Sequence, residues 1–196
     1  MNPIDDASLD RLFREGRTFN HYLDTPVGED EIRAIWDLMK MPPTSTNQSP
    51  ARMVWCLSAE AKEKLAACAS DSNADKIRQA PAAVIIGMDV NFHETLPQLF
   101  PHVDAKSWFD GNTELREASA FRNSSLQGAY LILAARALGL DTGAMSGFDQ
   151  GAVDKAFFAD QPGVRSNFIA TLGYGDTSRL HPRNPRLAFE QANRIA

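Results

Sequence analysis

Between Thr113 and Leu138 the chain runs without a proline, and Gly139 stands where a helix would end. This is the longest helical segment that the sequence allows, so the rest of the fold must be built around it. Its middle, Ser124 to Ala137, is apolar on several faces, which requires burial on more than one side. In a chain of 196 residues, such a helix is expected in the core and also against a partner subunit.

The remaining periodicities are shorter. Leu9, Leu12 and Phe13 mark an amphipathic helix ending near Gly16, and Ile32, Ile35, Trp36 and Met39 mark a second, stopped by Pro42 and Pro43. Met53–Leu57 reads as a strand. Ser58 caps a helix carrying Ala61, Leu65 and Cys68. Ala82–Met88 is a continuous apolar run, as in a strand buried on both faces. A short strand is expected over Gly143–Ser146, a helix over Asp149–Phe158 and a last strand over Asn167–Leu172. Strands and helices do not alternate strictly, so the expected fold class is a single α+β domain spanning residues 1–196, its sheet covered by helices. Within it, residues 91–112 mix aromatics, histidines and prolines without a period and read as an excursion, a candidate lid. Residues 176–196 form a polar, arginine-bearing tail.

Charge and motifs exclude several classes. A net charge of −5, from 20 basic and 25 acidic residues, argues against nucleic acid or anionic lipid as the main partner. No apolar stretch approaches the roughly 20 residues needed to span a bilayer, and the first ten residues lack a signal-peptide pattern, so a cytoplasmic protein is expected. Cys56 and Cys68 are expected to be reduced thiols. His21, His93, His102 and His181 are scattered without metal-ligand spacing, which predicts no metal site. There is no phosphate-binding GxxxxGK[ST] loop, no GxGxxG and no GxSxG elbow.

Four polar clusters remain. In the first, Arg17, with Thr18 and Asn20 beside it, offers a bidentate grip on a phosphate or else offsets the dipole at a helix end. Residues 42–52 form a rigid loop of prolines, hydroxyls and amides, suited to a polyol chain or a heterocycle edge, although an ordinary turn has the same composition. Asn73 and Lys76 would share one face of a helix. In the tail, Arg179, His181, Arg183 and Arg186 fall within eight residues without an acid, as an anion site or as a solvated charge run.

In order and spacing, these clusters resemble the nitroreductase family of FMN-dependent oxidoreductases. Arg17-Thr18-Phe19-Asn20 matches its N-terminal basic segment, and Pro43–Pro50 resembles its Pro-Ser-x-x-Asn-x-x-Pro loop. Asn73 and Lys76 match its Asn-x-x-Lys pair, Ala144–Phe148 the segment passing the flavin ring, and Pro185–Glu190 its closing Pro-Arg-Leu motif. Runs at Leu96–His102, Ala120–Ser125 and Gly139–Gly143 are similar to the branch identified as malonic semialdehyde reductases.

The resemblance implies a nitroreductase-like fold with a mostly antiparallel sheet, an intertwined homodimer, bound FMN, and NADH or NADPH as hydride donor. It assigns Arg17, Thr18 and Asn20 to the phosphate and ribityl end, with either Arg183 or Arg186 supplying the further positive charge. Thr44, Ser45, Asn47 and Ser49 would reach a flavin held mainly by the second subunit. Ala144, Met145, Ser146 and Gly147 would pass the ring, with Ser146 and Gly147 N–H groups near its N5–O4 edge. No side chain is an obligatory catalytic acid. Trp108 and Phe109 either wall the acceptor pocket or pack in the core. The acceptor would be a small molecule: malonic semialdehyde, or alternatively a nitroaromatic or quinone. A flavin carrier without turnover and a cofactor-free interaction module are the competing readings.

Overall fold

The computed structural model describes residues 2–196. Strands β1 (Ala51–Cys56), β2 (Ala82–Asp89), β3 (Asp141–Met145) and β4 (Val164–Gly173) form one antiparallel sheet in the order β1-β2-β4-β3. Helices α1 (Asp6–Leu9, extended by one wider turn to Arg14), α2 (Glu29–Met39), α3 (Ala59–Ala66), α4 (Asp71–Gln79), α5 (Leu96–Leu99), α6 (Thr113–Ala137), α7 (Gln150–Phe157) and α8 (Phe189–Ala192) surround it.

The apolar run of β2 sorts by the two-residue period of a strand. Ala82, Val84 and Ile86 pack with Ile35 and Met39 of α2 and Leu131, Ala134 and Ala135 of α6. Ala83 and Ile85 face the other way, into a second core with Leu65 of α3, Ile77 of α4 and Val153 of α7. Helices thus cover both faces of the sheet, which explains why β2 reads as continuously apolar. A third cluster lies under the excursion, where Phe92 and Phe109 meet edge to face with centroids 4.9 Å apart. Phe109 is therefore a core residue, whereas Trp108 is exposed.

The sequence boundaries shift by small amounts. Strand β4 begins at Val164, earlier than its apolar pattern suggests, because Val164 and Ser166 are buried against β2 and α7. Helix α3 ends before Cys68, which sits in the turn toward α4. Helix α6 matches its expected limits, and Gly139 adopts φ 86° just beyond it.

What the apolar count of α6 conceals is a buried polar row. Ser119, Asn123 and Gln127 repeat every four residues on one face, all buried. Asn123 Oδ1 accepts from Ser45 N–H at 2.8 Å, Gln127 Oε1 accepts from Ala51 N–H at 2.8 Å, and Ser119 exchanges hydrogen bonds with Gln48 at 3.1 Å. The row clamps the loop that leads into β1. Replacing Gln127 with Leu keeps the volume roughly but leaves the Ala51 N–H unsatisfied. The expected loss is about 1–3 kcal/mol of unfolding free energy, read as a lower urea midpoint.

Candidate active site

The segment Arg17–Asn20 lies along the edge of β3. Thr18 pairs with Thr142 as a parallel bridge, and Phe19 N–H donates to the Thr142 carbonyl at 3.0 Å. Phe19 is buried, so its neighbours Thr18 and Asn20 are held on either side of a fixed anchor. Two residues on, Leu23 N–H donates to Tyr174 O, and Asp176 N–H to His21 O, tying the same segment to the start of the tail.

The tail then folds back over Arg17. An Arg17 Nη2–H donates to the His181 carbonyl, and Arg183 Nη2–H donates to the Gly16 carbonyl at 3.1 Å. Between them opens a cleft of about 420 Å³. Arg17, Arg136, Arg179, Arg183 and Arg186 all line it, against the single carboxylate of Asp176. Among the described residues, none of these arginines lies within 4 Å of a carboxylate, although most arginines elsewhere in the chain do. A concave site with several guanidiniums and little negative charge suits a phosphate dianion. Both Arg183 and Arg186 reach this cleft, so the structure brings together the two positions that the sequence offered as alternatives.

At the other end of β3, the chain turns through Ser146 and Gly147 against the α3–α4 corner. The Gly147 carbonyl accepts from Ser70 N–H at 3.0 Å and from Asn73 Nδ2 at 3.1 Å. Lys76 Nζ donates to Asn73 Oδ1 at 3.4 Å, the one-turn spacing placing both on one face of α4. Asn73 thus spends part of its amide on the Gly147 turn, where the sequence suggested only a ligand contact. Ala144, Ser146 and Gly147 are exposed, and Met145 is half-buried against the second core. Gly147 N–H makes no hydrogen bond within the chain among the described residues. From Thr142 to Met145 the strand covers about 10 Å at roughly 3.3 Å per residue, before the turn. The surface along β3 therefore joins an anion cleft at one end to an open polar turn at the other.

The loop of residues 43–50 is built but lies elsewhere. Thr46, Asn47 and Ser49 adopt φ of 50°, 51° and 39°, left-handed conformations that cost non-glycine residues energy. Thr44 Oγ1 accepts from Ser49 N–H at 3.1 Å, and Asn47 Nδ2 donates to Leu99 O at 2.8 Å. The partners of this loop are α6 and the excursion, not the Arg17 segment. Ser45 and Asn47 remain exposed.

Sequence reasoning missed two groups. Ser119, Asn123 and Gln127 were hidden in a helix read only for its apolar content, although their four-residue spacing is visible. Arg136 reads as an ordinary cation near a helix C-terminus, and nothing local marks it as part of the cleft. The excursion also gathers His93, Glu94 and Asp110 within 4.8 Å of one another. Lys106 and Arg116 already occupy that cluster, at 2.9 Å from Asp110 and 3.0 Å from His93. Burial, and then Arg116, hold the His93 imidazole below its ordinary pKa. Both thiols are free, and burial pushes Cys56 up to about 11.

Residues 14–174 match the model of the nitroreductase family. The chain belongs to that family. Its members are FMN-dependent oxidoreductases that draw hydride from NADH or NADPH, and so is this protein. A relative from Stenotrophomonas maltophilia (strain R551-3), named as a proposed NADH dehydrogenase/NAD(P)H nitroreductase, is 58% identical over 193 residues, 98% of each chain. In fold, the chain resembles a proposed nitroreductase from Exiguobacterium sibiricum 255-15 solved in complex with FMN. The TM-score is 0.85 at 18% identity, over 100% of this chain and 99% of that one. A proposed nitroreductase from Bacillus subtilis gives a TM-score of 0.85 at 21% identity, over 98% and 100%. Among the described residues, no helix is long and apolar enough to cross a membrane.

A side chain at position 147 would collide with this construction, since a Cβ there falls 2.7 Å from Asn73 Nδ2 and 3.1 Å from Ser70 Oγ. Gly147→Ala is expected to displace Asn73 and weaken FMN binding by about tenfold or more, with unfolding free energy changed by no more than about 1–2 kcal/mol. Flavin fluorescence titration and urea denaturation measure the two.

Proposed function

We propose that this protein is a cytoplasmic homodimeric NAD(P)H oxidoreductase that holds FMN along β3 and reduces a small acceptor. The observation that carries the reading is the arginine cleft at one end of β3, with the open Gly147 turn at the other. The residues fit a phosphorylated ring cofactor. Among the described residues the five guanidiniums have no carboxylate within 4 Å and share the cleft with Asp176 alone, and the glycine turn leaves an N–H free where a side chain cannot be accommodated.

When bound, FMN supplies the hydride relay between the nicotinamide and the acceptor. The chain's own contribution is binding, orientation and field. Arg17 grips the phosphate, with Arg183 and Arg186 closing the cleft from the tail, while Thr18 and Asn20 offer hydrogen bonds toward the ribityl chain. Ser146 and Gly147 would offer backbone N–H groups to the bound ring, fixed dipoles that favour negative charge there. Lys76, held by Asn73, places a cation near that ring.

Thr44, Ser45, Asn47 and Ser49 complete the site from the second subunit. Two features support this division: Ser45 and Asn47 are exposed, and the loop's hydrogen bonds run to α6 and the excursion, with none to the Arg17 segment of its own chain among the described residues. Apolar side chains left in solvent, among them Trp36, Met41 and Phe121, supply surface for such a dimer. Two free thiols fit a reducing compartment. For the acceptor, the runs at Leu96–His102, Ala120–Ser125 and Gly139–Gly143 favour malonic semialdehyde, reduced to 3-hydroxypropionate. The names of the relatives favour a nitroaromatic or quinone acceptor instead.

The purified protein is expected to be yellow and to bleach rapidly on anaerobic addition of NADH or NADPH. Stopped-flow reoxidation by an acceptor panel then ranks aldehyde, nitroaromatic and quinone. Arg17→Ala is expected to weaken FMN retention at least tenfold, by the order of one charge-assisted hydrogen bond. Protein that stays colourless with added FMN would overturn the reading. Bound FMN that no nicotinamide reduces would leave a carrier in place of an enzyme.

A further inference from the structure

The anion cleft contains one cation that comes neither from the N-terminal segment nor from the tail. Arg136 projects from the last turn of α6, and its guanidinium lies against Gly16, where a Cβ would fall 2.5 Å from Nη1. Nη1 donates to the Leu12 carbonyl at 2.8 Å and Nη2 to the Arg17 carbonyl at 3.4 Å. Nε–H is shielded from solvent with no partner. Two of five N–H donors are thus used, and the group has no carboxylate within 4 Å among the described residues.

A half-buried cation in this state is under-compensated. Arg11, which donates to the Arg136 carbonyl, and Arg183 add positive charge around it, and the Asp141 carboxylate offsets them in part. Burial accordingly holds the Arg136 guanidinium below its ordinary pKa. An anion in the cleft would relieve the imbalance, because a desolvated charge is stabilised most by a counter-charge in the same low-dielectric surroundings. Asn20 of the N-terminal segment is uncharged, so on that side of the cleft Arg17 is joined by a cation from α6.

We propose that Arg136 is a phosphate-reading residue of the FMN site, a fixed cation beneath the anion that also braces the backbone carrying Arg17. This rests on the assignment of the cleft to the FMN phosphate. The bracing role alone would affect any flavin equally. A charge role affects FMN and spares riboflavin, which lacks the phosphate.

The test is the ratio of the riboflavin Kd to the FMN Kd, measured by flavin fluorescence on the full chain. In Arg136→Gln this ratio is expected to fall by about 10-fold to 100-fold, the value of a charge-assisted contact. In Arg136→Lys, which keeps the charge and loses the planar fork, it is expected to stay within about threefold of the parent even if both affinities fall. An unchanged ratio in Arg136→Gln, or a collapsed ratio in Arg136→Lys, overturns the proposal. Should Arg136→Gln fail to fold, Arg136→Met, which keeps the stem and removes the charge, takes its place with the same expected fall in the ratio, and an unchanged ratio there overturns the proposal. A parent protein with no preference for FMN over riboflavin would instead refute the placement of the phosphate, and would be seen before any variant is made.

Discussion

Helix α6 ties the loop entering β1 to the segment that carries Arg17, and most of the structure follows from that. Near one end, Ser119, Asn123 and Gln127 satisfy the backbone of the loop entering β1. At the other, Arg136 reaches the carbonyls of Leu12 and Arg17. Between these ends, Leu131, Ala134 and Ala135 seat the helix on the sheet. Small residues on that face let it approach closely, so a helix of 25 residues fixes the spacing between the loop entering β1 and the Arg17 segment. The polar contacts matter because they are buried: an unsatisfied N–H there costs more than the bond contributes when made.

The sheet plays the complementary part. Strand β3 is one of its two edges, and an edge exposes unpaired backbone groups that a protein must cover or use. Here the first half of the edge is covered by Thr18 and Phe19, and the second half runs out into the Gly147 turn. The arrangement converts an ordinary liability of antiparallel sheets into a surface with a charged end and a neutral end. No secondary structure is needed in the tail to achieve this. Arg183 and the His181 carbonyl fasten it by two hydrogen bonds to the segment they help complete.

The parts that could be read from the sequence were those with local signatures. β2 was legible because it is buried on both faces. The limits of α6 were legible from its lack of proline and from Gly139, and the Gly147, Asn73 and Lys76 positions from motif order, which the folded chain brings within hydrogen-bond reach. Helix α4 was weaker, since Asp71–Gln79 is mostly polar and buries only Ala74 and Ile77. Arg136 was invisible because its role depends on a contact with residues more than a hundred positions away. The polar row of α6 was missed because a serine, an asparagine and a glutamine dilute hydrophobicity without breaking helical period. Trp108 and Phe109 show the limit most plainly: adjacent aromatics in an aperiodic stretch take opposite environments, set by Phe92 and not by their own sequence.

The left-handed residues of the 43–50 loop carry a consequence for sequence drift. Thr46 and Ser49 sit where an L-amino acid is strained by roughly 1–2 kcal/mol, Asn47 shares that conformation, and hydrogen bonds from Ser49 N–H to Thr44 Oγ1 and from Asn47 Nδ2 to Leu99 O fasten the loop. In most loops a change to glycine loosens the folded state. At these three positions glycine would relieve strain, while a β-branched replacement would increase it. The loop should therefore tolerate small and flexible residues and reject bulky ones, even at sites that face open solvent.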